Sequence, residues 1–452
     1  MNREKILGEE NEFSALMKLS IPASIAMLIN AIYNIVDTIF IGRGVGSLGI
    51  AGVSIYLPIQ MMILSVALLI GIGTSSIVSR KLGKKDEEGV NKACGNLFLL
   101  IGIFSVIFSI TGLVFTKEIV KMFGASDAVL PYAADYAKTM FIGVFVFPIC
   151  VASNNILRAE GNAKDAMYSM IIGMIANVFL DYLFIYVFKW GIAGAGLATS
   201  ISKMINFTYI VYYFMKKSSV KIKTKYLRYD KTIVKEMLSI GFSAFIIQIS
   251  ASIVALLLNY TLYHYGGDKA VSIYGIIFKL TLFVQMPLTG LIQGMQPIVG
   301  YSMGAGNITR IKNTVKINLI VSTCISTLLV MLIYIMPKSI VGLFTNDTSL
   351  INQGSSVIKI VMLIYPLLGI YMTSLGVYQS IGKAKMSLLL SMLRQIIFFI
   401  PISLILPSVF NLGLTGIWLA FPISDFLACL TAGLISIKDF KNTLKKYQVS
   451  MQ

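Results

Sequence analysis

The sequence contains few charged residues for its length. Only 13% of its 452 residues are Asp, Glu, Lys or Arg, whereas soluble domains carry about a quarter. Hydrophobic residues make up 56% of the chain, and the mean hydropathy is +0.81. So few charges cannot cover a surface that faces water on all sides. The composition therefore excludes a soluble protein and indicates that most of the surface faces lipid.

Histidine and cysteine are also scarce. The single histidine, His264, ends an apolar run and is expected at the membrane interface, since a metal site usually needs several ligands. The four cysteines fall within apolar runs and indicate small buried side chains rather than disulfides. The chain lacks the H-E-x-x-H and G-x-G-D patterns of intramembrane proteases and the G-x-x-x-x-G-K-[ST] loop of nucleotide-driven pumps. We therefore predict no catalytic residues, no cofactor and no metal beyond a transported Na⁺.

Long apolar runs, in contrast, are abundant. A helix needs about 20 apolar residues to cross the hydrocarbon core of a bilayer. Residues 1–14 mix acidic and basic side chains, which is unlike a cleaved signal peptide. We predict an all-α polytopic membrane protein with twelve transmembrane helices, near residues 15–41, 51–79, 93–116, 132–157, 165–188, 192–215, 239–264, 271–300, 313–336, 355–379, 385–407 and 413–437.

The formal net charge of +18 is explained by where the basic residues lie. Of 38 Lys and Arg residues, 24 fall in the two tails and the even-numbered loops, six in the odd-numbered loops and eight within the runs. The positive-inside rule then predicts that both termini are cytoplasmic, as an even number of spans requires. The basic excess thus indicates membrane orientation, and no nucleic-acid partner is predicted.

The two halves of the chain resemble each other. SSIVSRKLG at 75–83 is similar to QPIVGYSMG at 296–304, an offset of 221. Two more pairs have nearly the same offset: LRAEGNAKDAMYSM at 157–170 with YQSIGKAKMSLLLSM at 378–392, and WGIAGAGLATSIS at 190–202 with LGLTGIWLAFPIS at 412–424. Three matches in order indicate a duplicated unit of six helices. Two such repeats enclosing a cleft are a common plan of transporters that work by alternating access.

Several segments also resemble the multidrug and toxic compound extrusion (MATE) family. They are the opening LSIPASIAMLINAIYNIVDTIFIGRGVGSLGIAGVS at 19–54, RAEGNAK at 158–164, NVFLDYLFI at 177–185 and GIAGAGLATSIS at 191–202. The chain is most similar to the bacterial and archaeal branch related to DinF and MepA. The resemblance implies two six-helix lobes related by pseudo-twofold symmetry, which we place at 1–215 and 238–452 with a basic cytoplasmic linker at 216–237. It also implies export of lipophilic, mostly cationic compounds, driven by inward flow of Na⁺ or H⁺.

Acidic residues inside the apolar runs are candidates for ion coupling, because a carboxylate in the bilayer is costly. At about 1.5 Å per residue, Asp37 lies roughly 6 Å and Asp181 roughly 10 Å below the outer ends of their helices, with Thr199 at a similar depth. Asn177 precedes Asp181 by one helical turn, as Asn34 precedes Asp37. Such oxygen ligands suit Na⁺, and paired carboxylates also hold a shared proton. The family resemblance implies a cation site at Asp37, Asn177, Asp181 and Thr199.

Three charged residues fall inside runs of the second half: Lys279, Arg394 and Asp425. Runs seven and ten contain no Asp or Glu, which argues against the acidic site found there in other branches of the family. Charge compensation within the second lobe is one explanation of the three residues, and a role in substrate or proton movement is the other.

The substrate cavity is harder to place from sequence. The chain holds 23 Met, 26 Phe and 22 Tyr, and adaptable and aromatic side chains suit promiscuous binding of flat cations. Polar or polarizable residues that should turn away from lipid give the cavity candidates Tyr33, Asn34, Gln60, Met286 and Gln293.

Other functions remain as alternatives. A flippase for a lipid-linked oligosaccharide shares the duplicated plan, but it would need many basic residues inside the helices to hold pyrophosphate. An intramembrane enzyme is a remote alternative, given the single histidine. We thus predict a monomeric antiporter of the cell membrane whose partners are small lipophilic cations and lipids.

Overall fold

The computed structural model describes residues 3–221 and 223–451, with side-chain environments for 5–221 and 223–439. This part of the chain is helical throughout and contains no β-strand. Its α-helices are α1 (Arg3–Gly8), α2 (Glu12–Gly44), α3 (Ser47–Gly83), α4 (Glu87–Val114), α5 (Thr116–Met122), α6 (Leu130–Val144), α7 (Phe147–Ala159), α8 (Ala163–Asp181), α9 (Gly191–Lys216), α10 (Lys231–Gly304), α11 (Ile308–Ile335), α12 (Pro337–Gly342), α13 (Thr348–Val361), α14 (Leu368–Ser380), α15 (Ala384–Met392), α16 (Ile400–Ser408) and α17 (Gly413–Met451).

The twelve predicted spans can all be located among these helices. Within the described residues, eight helices are long and apolar enough to cross a membrane, and two bent pairs, α6–α7 and α13–α14, bring the number to ten. Helix α10 is counted once among these ten, but its 74 residues contain two of the predicted runs, which gives eleven spans. Helix α9 is the twelfth. Gly267 separates the two spans of α10, because its φ of 61° interrupts the helix. The predicted polytopic all-α fold is confirmed.

The bends in spans four and ten have local causes. Helices α6 and α7 meet at 44°, and α13 and α14 meet at 40°. Pro148 lies in the first turn of α7, and Pro366 lies in the short 3₁₀ turn Tyr365–Leu367 before α14. Proline cannot donate the backbone hydrogen bond that would continue the preceding helix. Each bend therefore follows from the sequence at that position.

A reciprocal backbone contact joins the two halves at the end of α3 and of α10. A Cβ atom added to Gly83 would lie 2.0 Å from the carbonyl oxygen of Tyr301, and one added to Gly304 would lie 1.9 Å from that of Arg80. Both residue pairs are related by the offset of 221 seen in the sequence, since 83 corresponds to 304 and 80 to 301. The contact is therefore the same on both sides of a pseudo-twofold axis. It joins the two halves on the side of the basic loops.

Each half has its own apolar packing. Two clusters of buried side chains lie almost wholly before residue 238, and a larger one is formed mainly by residues 254–432. The larger cluster also includes Leu7, Leu16 and Leu19 from α1 and the start of α2. The first helices therefore pack against the second half as well as their own.

Glu160 binds the start of the basic segment that joins the two halves, residues 216–237, to the first half. This buried carboxylate accepts hydrogen bonds from the Tyr213 hydroxyl at 2.6 Å, the Ser218 hydroxyl at 2.7 Å and the Ser219 backbone N–H at 2.9 Å. The Asn91 side-chain oxygen accepts a further one from the Lys221 backbone at 2.7 Å. The start of the segment is thus held in place by hydrogen bonds.

Candidate functional site

The carboxyl groups of Asp37 and Asp181 meet inside the first half. Asp37 projects from α2 with 8% of its surface exposed, and Asp181, the last residue of α8, is fully buried. The two groups are close enough to share a hydrogen bond. Among the described atoms, the Oδ1 oxygen of each has no hydrogen-bond partner. Two buried acids, each with an oxygen that lacks a donor, form a site that a proton or a small cation would stabilise.

Asn177 and Thr199 lie beside this pair of carboxyl groups. Asn177 lies one turn before Asp181 on α8, and its amide nitrogen donates to the Thr199 hydroxyl of α9 at 3.3 Å. With the amide rotated by half a turn, the nitrogen donates instead to Asp181 Oδ2 at 2.8 Å and the oxygen accepts from Thr199 N–H at 3.3 Å. The second orientation satisfies both groups and leaves the Thr199 hydroxyl oxygen in the cluster.

The structure adds two residues that the sequence analysis did not choose for the ion site. The Tyr33 hydroxyl, one turn before Asp37 on α2, lies close to the Thr199 side chain. Lys203, one turn after Thr199 on α9, is close enough to Asp37 for their charges to interact, and its Nζ lies 4.4 Å from the centroid of the Phe147 ring. The sequence feature that could have identified Lys203 is its position four residues after Thr199, which places both side chains on the same face of α9.

Asn34 does not join the cluster. Its side chain is exposed, and its amide nitrogen donates to the Asn30 carbonyl of its own helix at 2.7 Å. Residues 33 and 34 both precede Asp37 by about one turn, but they point about 100° apart around the helix. Tyr33 is therefore the residue that faces α9.

A π-helical turn follows Asp181 directly. Residues Tyr182–Val187 continue α8 with this wider turn, and a second one at Leu393–Phe399 follows α15. These are spans five and eleven, the equivalent helices of the two repeats. π-Turns inside helices are rare and occur often at functional sites. Here one of them borders the carboxylate pair and the other contains Arg394.

In the second half, Arg394 and Asp425 form a partly buried ion pair. Arg394 Nε donates to Asp425 Oδ1 at 2.6 Å, and its Nη2 donates to Oδ2 at 3.3 Å. The guanidinium also lies 6.0 Å from the Tyr365 ring. Lys279 is exposed and lies 5.9 Å from the Phe344 ring, apart from this pair. The structure thus brings together two of the three charged residues considered for this half.

A cavity of about 260 Å³ lies next to this ion pair, between α3, α10, α14 and the start of span eleven. Gln293 and Arg394 both line it. Gln60 and Met286 are half-buried side chains of α3 and α10, and neither lines this cavity. Tyr33 and Asn34 lie on α2, outside its lining.

Comparison with known proteins gives one family throughout. The model of the MatE family matches residues 22–183 and again residues 243–405. The two matches repeat the offset found between the halves of the sequence. Together they cover well over half of the chain.

Relatives of known name agree with this match. The chain is 28% identical over 426 residues to "Multidrug export protein MepA" of Staphylococcus saprophyticus, covering 94% of this chain and 93% of the relative. It is 30% identical over 425 residues to the protein of the same name in Staphylococcus aureus strain N315, with the same coverage.

Solved structures agree as well. A structure of MATE in the straight conformation has a TM-score of 0.92 and 26% identity, covering 98% of this chain and 99% of that one. An outward-facing multidrug resistance MATE family transporter of the MOP superfamily has a TM-score of 0.91 at the same identity and coverage.

Proposed function

The chain belongs to the MatE family, and from that premise we propose that it exports small lipophilic compounds, cationic ones among them, in exchange for an inward-moving cation. Its relatives over 94% of its length are named multidrug export proteins. The proposed place is the cell membrane, with both termini in the cytoplasm. The protein acts as a monomer with lobes at 1–215 and 238–452.

The observation that carries the coupling proposal is the pair of facing carboxyl groups at Asp37 and Asp181. Each has a buried oxygen without a donor. A proton or Na⁺ entering from outside would remove one negative charge from this pair, with Asn177 and Thr199 supplying further oxygens. Loss of the cation to the other side would restore the charge. The occupied and empty sites thus differ by one charge, which can favour different arrangements of the helices.

Transport itself is proposed to follow from movement of one half against the other. The contact of Gly83 with Tyr301 and of Gly304 with Arg80 closes the side of the basic loops. Substrate would enter from that side only after these backbones separate. Such rocking of two repeats is the usual form of alternating access.

The flippase alternative finds little support in the cavity of the second half. Arg394 is its one basic lining residue, and it already pairs with Asp425. A pyrophosphate would need several unpaired cationic groups. Export of small organic molecules therefore remains the better proposal.

The decisive experiment is dye transport by purified protein in lipid vesicles. Ethidium movement is measured under an inward Na⁺ gradient and, separately, under an inward H⁺ gradient. We expect movement under at least one gradient and only passive leakage without either. If no dye moves under any gradient while a lipid-linked oligosaccharide is scrambled, the flippase alternative replaces this proposal.

A further inference from the structure

We propose that residues 3–10 form a strap that holds the two halves together on the side of the basic loops and must release before that side opens. The strap consists of α1 and the turn that follows it. It lies beside the contact of Gly83 with Tyr301, because a Cβ atom added to Gly8 would lie 2.9 Å from Cε1 of Tyr301. The inference rests on the proposed function, because it assigns the strap to one step of alternating access.

Arg310 attaches the strap to the second half. This residue lies in the first turn of α11 and is 5% exposed. Its Nε donates to the Leu7 carbonyl at 2.9 Å, and its Nη2 donates to the Ile6 carbonyl at 3.0 Å. Its Nη1 donates to the Glu10 carbonyl in the turn after α1. The last carbonyls of a helix have no partner within the helix, and a cation there is also favoured by the helix dipole.

Leu7 connects the same strap to the first half. Its side chain is 2% exposed, and a Cβ atom added to Gly161 would lie 3.1 Å from its Cγ. Gly161 belongs to the turn between α7 and α8, so this contact is made with the first half. Leu7 also shares an apolar cluster with Ala163 of the first half and Met303 of the second. Separation of the halves would return this apolar surface to water, which is unfavourable.

The repeat places a second segment in the equivalent position. With the offset of 221, α1 corresponds to residues 224–229 and α11 corresponds to α4. The equivalent segment lies on α4, since a Cβ atom added to Gly95 would lie 2.1 Å from the Tyr226 carbonyl oxygen. The backbone N–H of Asp230 donates to Asn96 Oδ1 at 2.9 Å. Each repeat thus has its leading segment bound to the third span of the other, which indicates a feature of the duplicated plan rather than chance packing.

The strap can stay with only one half when the two halves move apart. Arg310 binds it through three hydrogen bonds from a charged donor, and such bonds are stronger than neutral ones. The first half binds it through the apolar contact of Leu7 with Gly161. Release therefore occurs at Gly161, and the strap remains on the second half. While both contacts are made, they favour the arrangement in which the halves meet on the side of the basic loops.

The test measures how fast a cysteine between the halves reacts. Ser79→Cys is introduced into full-length protein that lacks the native cysteines, and its reaction with a maleimide is followed in lipid vesicles. Ser79 is 2% exposed and packs against Gly300 of the second half, so reaction requires that the halves separate. We expect Leu7→Ala and Arg310→Gln each to raise the reaction rate by about tenfold. An unchanged rate in either variant would overturn the proposal.

The double variant distinguishes one strap from two independent contacts. A strap acts only while both of its attachments are intact. Leu7→Ala combined with Arg310→Gln should therefore react no faster than the faster single variant, within about twofold. Rates that multiply to about a hundredfold would overturn the proposal, because independent contacts add their free energies. If Arg310→Gln does not fold, Arg310→Lys replaces it, since an ammonium group lacks the planar fork that binds several carbonyls.

Two controls separate the strap from general loss of stability. Lys5→Gln changes an exposed residue of α1 and should leave the reaction rate unchanged. Leu97→Ala removes an equally buried leucine from an apolar cluster of the first half, so it should lower thermal stability without raising the rate. If Leu97→Ala reacts as fast as Leu7→Ala, general destabilisation explains the result and the proposal is wrong.

Ethidium transport under ion gradients, measured on the same wild-type preparation, separates this proposal from the proposed function. If ethidium moves while Leu7→Ala leaves the reaction rate unchanged, only the strap proposal fails. If ethidium does not move under any gradient, the proposed function fails. Faster reaction in Leu7→Ala would then still show that the strap holds the two halves together.

Discussion

At the scale of single residues, Asp181 is the group on which coupling should depend most, since it is fully buried and faces Asp37. We expect Asp181→Asn to reduce gradient-driven dye efflux to the level of passive leakage. An amide keeps the size of the side chain but can neither bind a proton nor attract Na⁺ with a negative charge. Asp37→Asn should reduce efflux less completely, because Asp181 remains. Efflux rates in vesicles under imposed gradients provide the measurement.

Asp127→Asn is the matched control, because that residue is an exposed acid in a loop outside the spans. It should leave efflux unchanged. Gel filtration of each variant shows whether it is folded. Full gradient-dependent efflux by the Asp37→Asn, Asp181→Asn double variant would rule out the proposed coupling site.

Lys203 should weaken Na⁺ binding at this site, because its positive charge lies near Asp37. A nearby charge in a partly buried site changes binding by about 1 kcal/mol or more, and about 1.4 kcal/mol corresponds to a factor of ten. We expect Lys203→Gln to lower the Na⁺ concentration for half-maximal efflux by about tenfold. Lys138→Gln, an exposed lysine of α6, serves as control. If the Na⁺ concentration for half-maximal efflux is unchanged in Lys203→Gln, Lys203 does not influence cation binding at this site.

The residues that the structure brings together at the proposed ion site could be predicted only in part. Spacing along one helix was sufficient to pair Asn177 with Asp181, and depth in the membrane placed Asp37 and Thr199 within a few ångströms of the same level. Spacing could not decide between Tyr33 and Asn34, because each lies about one turn from Asp37 and the choice depends on where α9 packs. Sequence position also could not show that Lys279 lies apart from the pair of Arg394 and Asp425, because that depends on which helices pack against each other.

At the scale of helices, the π-turns after α8 and α15 are features that the sequence analysis missed. The residues in these turns, YLFIYV and LRQIIFF, are apolar and aromatic like the rest of their spans. A π-turn contains one residue more than an α-helical turn, and this difference does not produce a hydrophobic pattern that can be recognised in the sequence. The apolar runs could therefore be located, but not the internal changes of helical geometry beside the two charged sites.

The connection between the halves gives a prediction at the same scale. Glu160 holds Ser218 and Ser219 through three hydrogen bonds within 3.0 Å. We expect Glu160→Gln to loosen the start of the basic segment, because all three bonds are accepted by one carboxylate oxygen, and a neutral amide oxygen accepts hydrogen bonds less strongly than a charged one. Trypsin should then cut at the exposed Lys221 and Lys223 several times faster than in the wild type.

Glu118→Gln, an exposed acid in the short helix α5, provides the comparison. Its cleavage rate at the same lysines should equal that of the wild type. Equal rates for Glu160→Gln and wild type would show that other contacts hold the segment.

At the scale of the whole molecule, the repeat was the most reliable sequence signal. The offset of 221 predicted two equivalent halves, and the reciprocal contacts of Gly83 and Gly304 follow the same offset. Twelve spans could be predicted because each contains enough apolar residues, whatever its tertiary neighbours. The cavity beside Arg394 could not be predicted, since it depends on how four separate helices meet.

Orientation in the membrane can be tested with single cysteines in a variant that lacks the native ones. Lys225→Cys, in the basic segment, should resist a membrane-impermeant maleimide added to intact cells, whereas Asn346→Cys, between α12 and α13, should react. The basic asymmetry of the loops is the physical reason. Permeabilised cells control for reactivity, because both positions should then be labelled. Reaction of Lys225→Cys in intact cells would reverse the predicted topology.

If the protein works by the proposed alternating access, the glycine contact between α3 and α10 should also set the balance between its two conformers. Gly83 and Gly304 allow backbone to touch backbone in the closed arrangement, so a methyl group on either would destabilise that conformer alone. We expect Gly83→Ala to raise the population open on the side of the basic loops, by tenfold for each 1.4 kcal/mol or so of added strain. Faster maleimide labelling of Ser79→Cys, at the same interface, would report it. Gly102→Ala, which meets no atom within 4 Å, should leave the labelling rate unchanged. The absence of a methyl group at Gly83 and Gly304 would thus determine how much of its time the protein spends facing each side of the membrane.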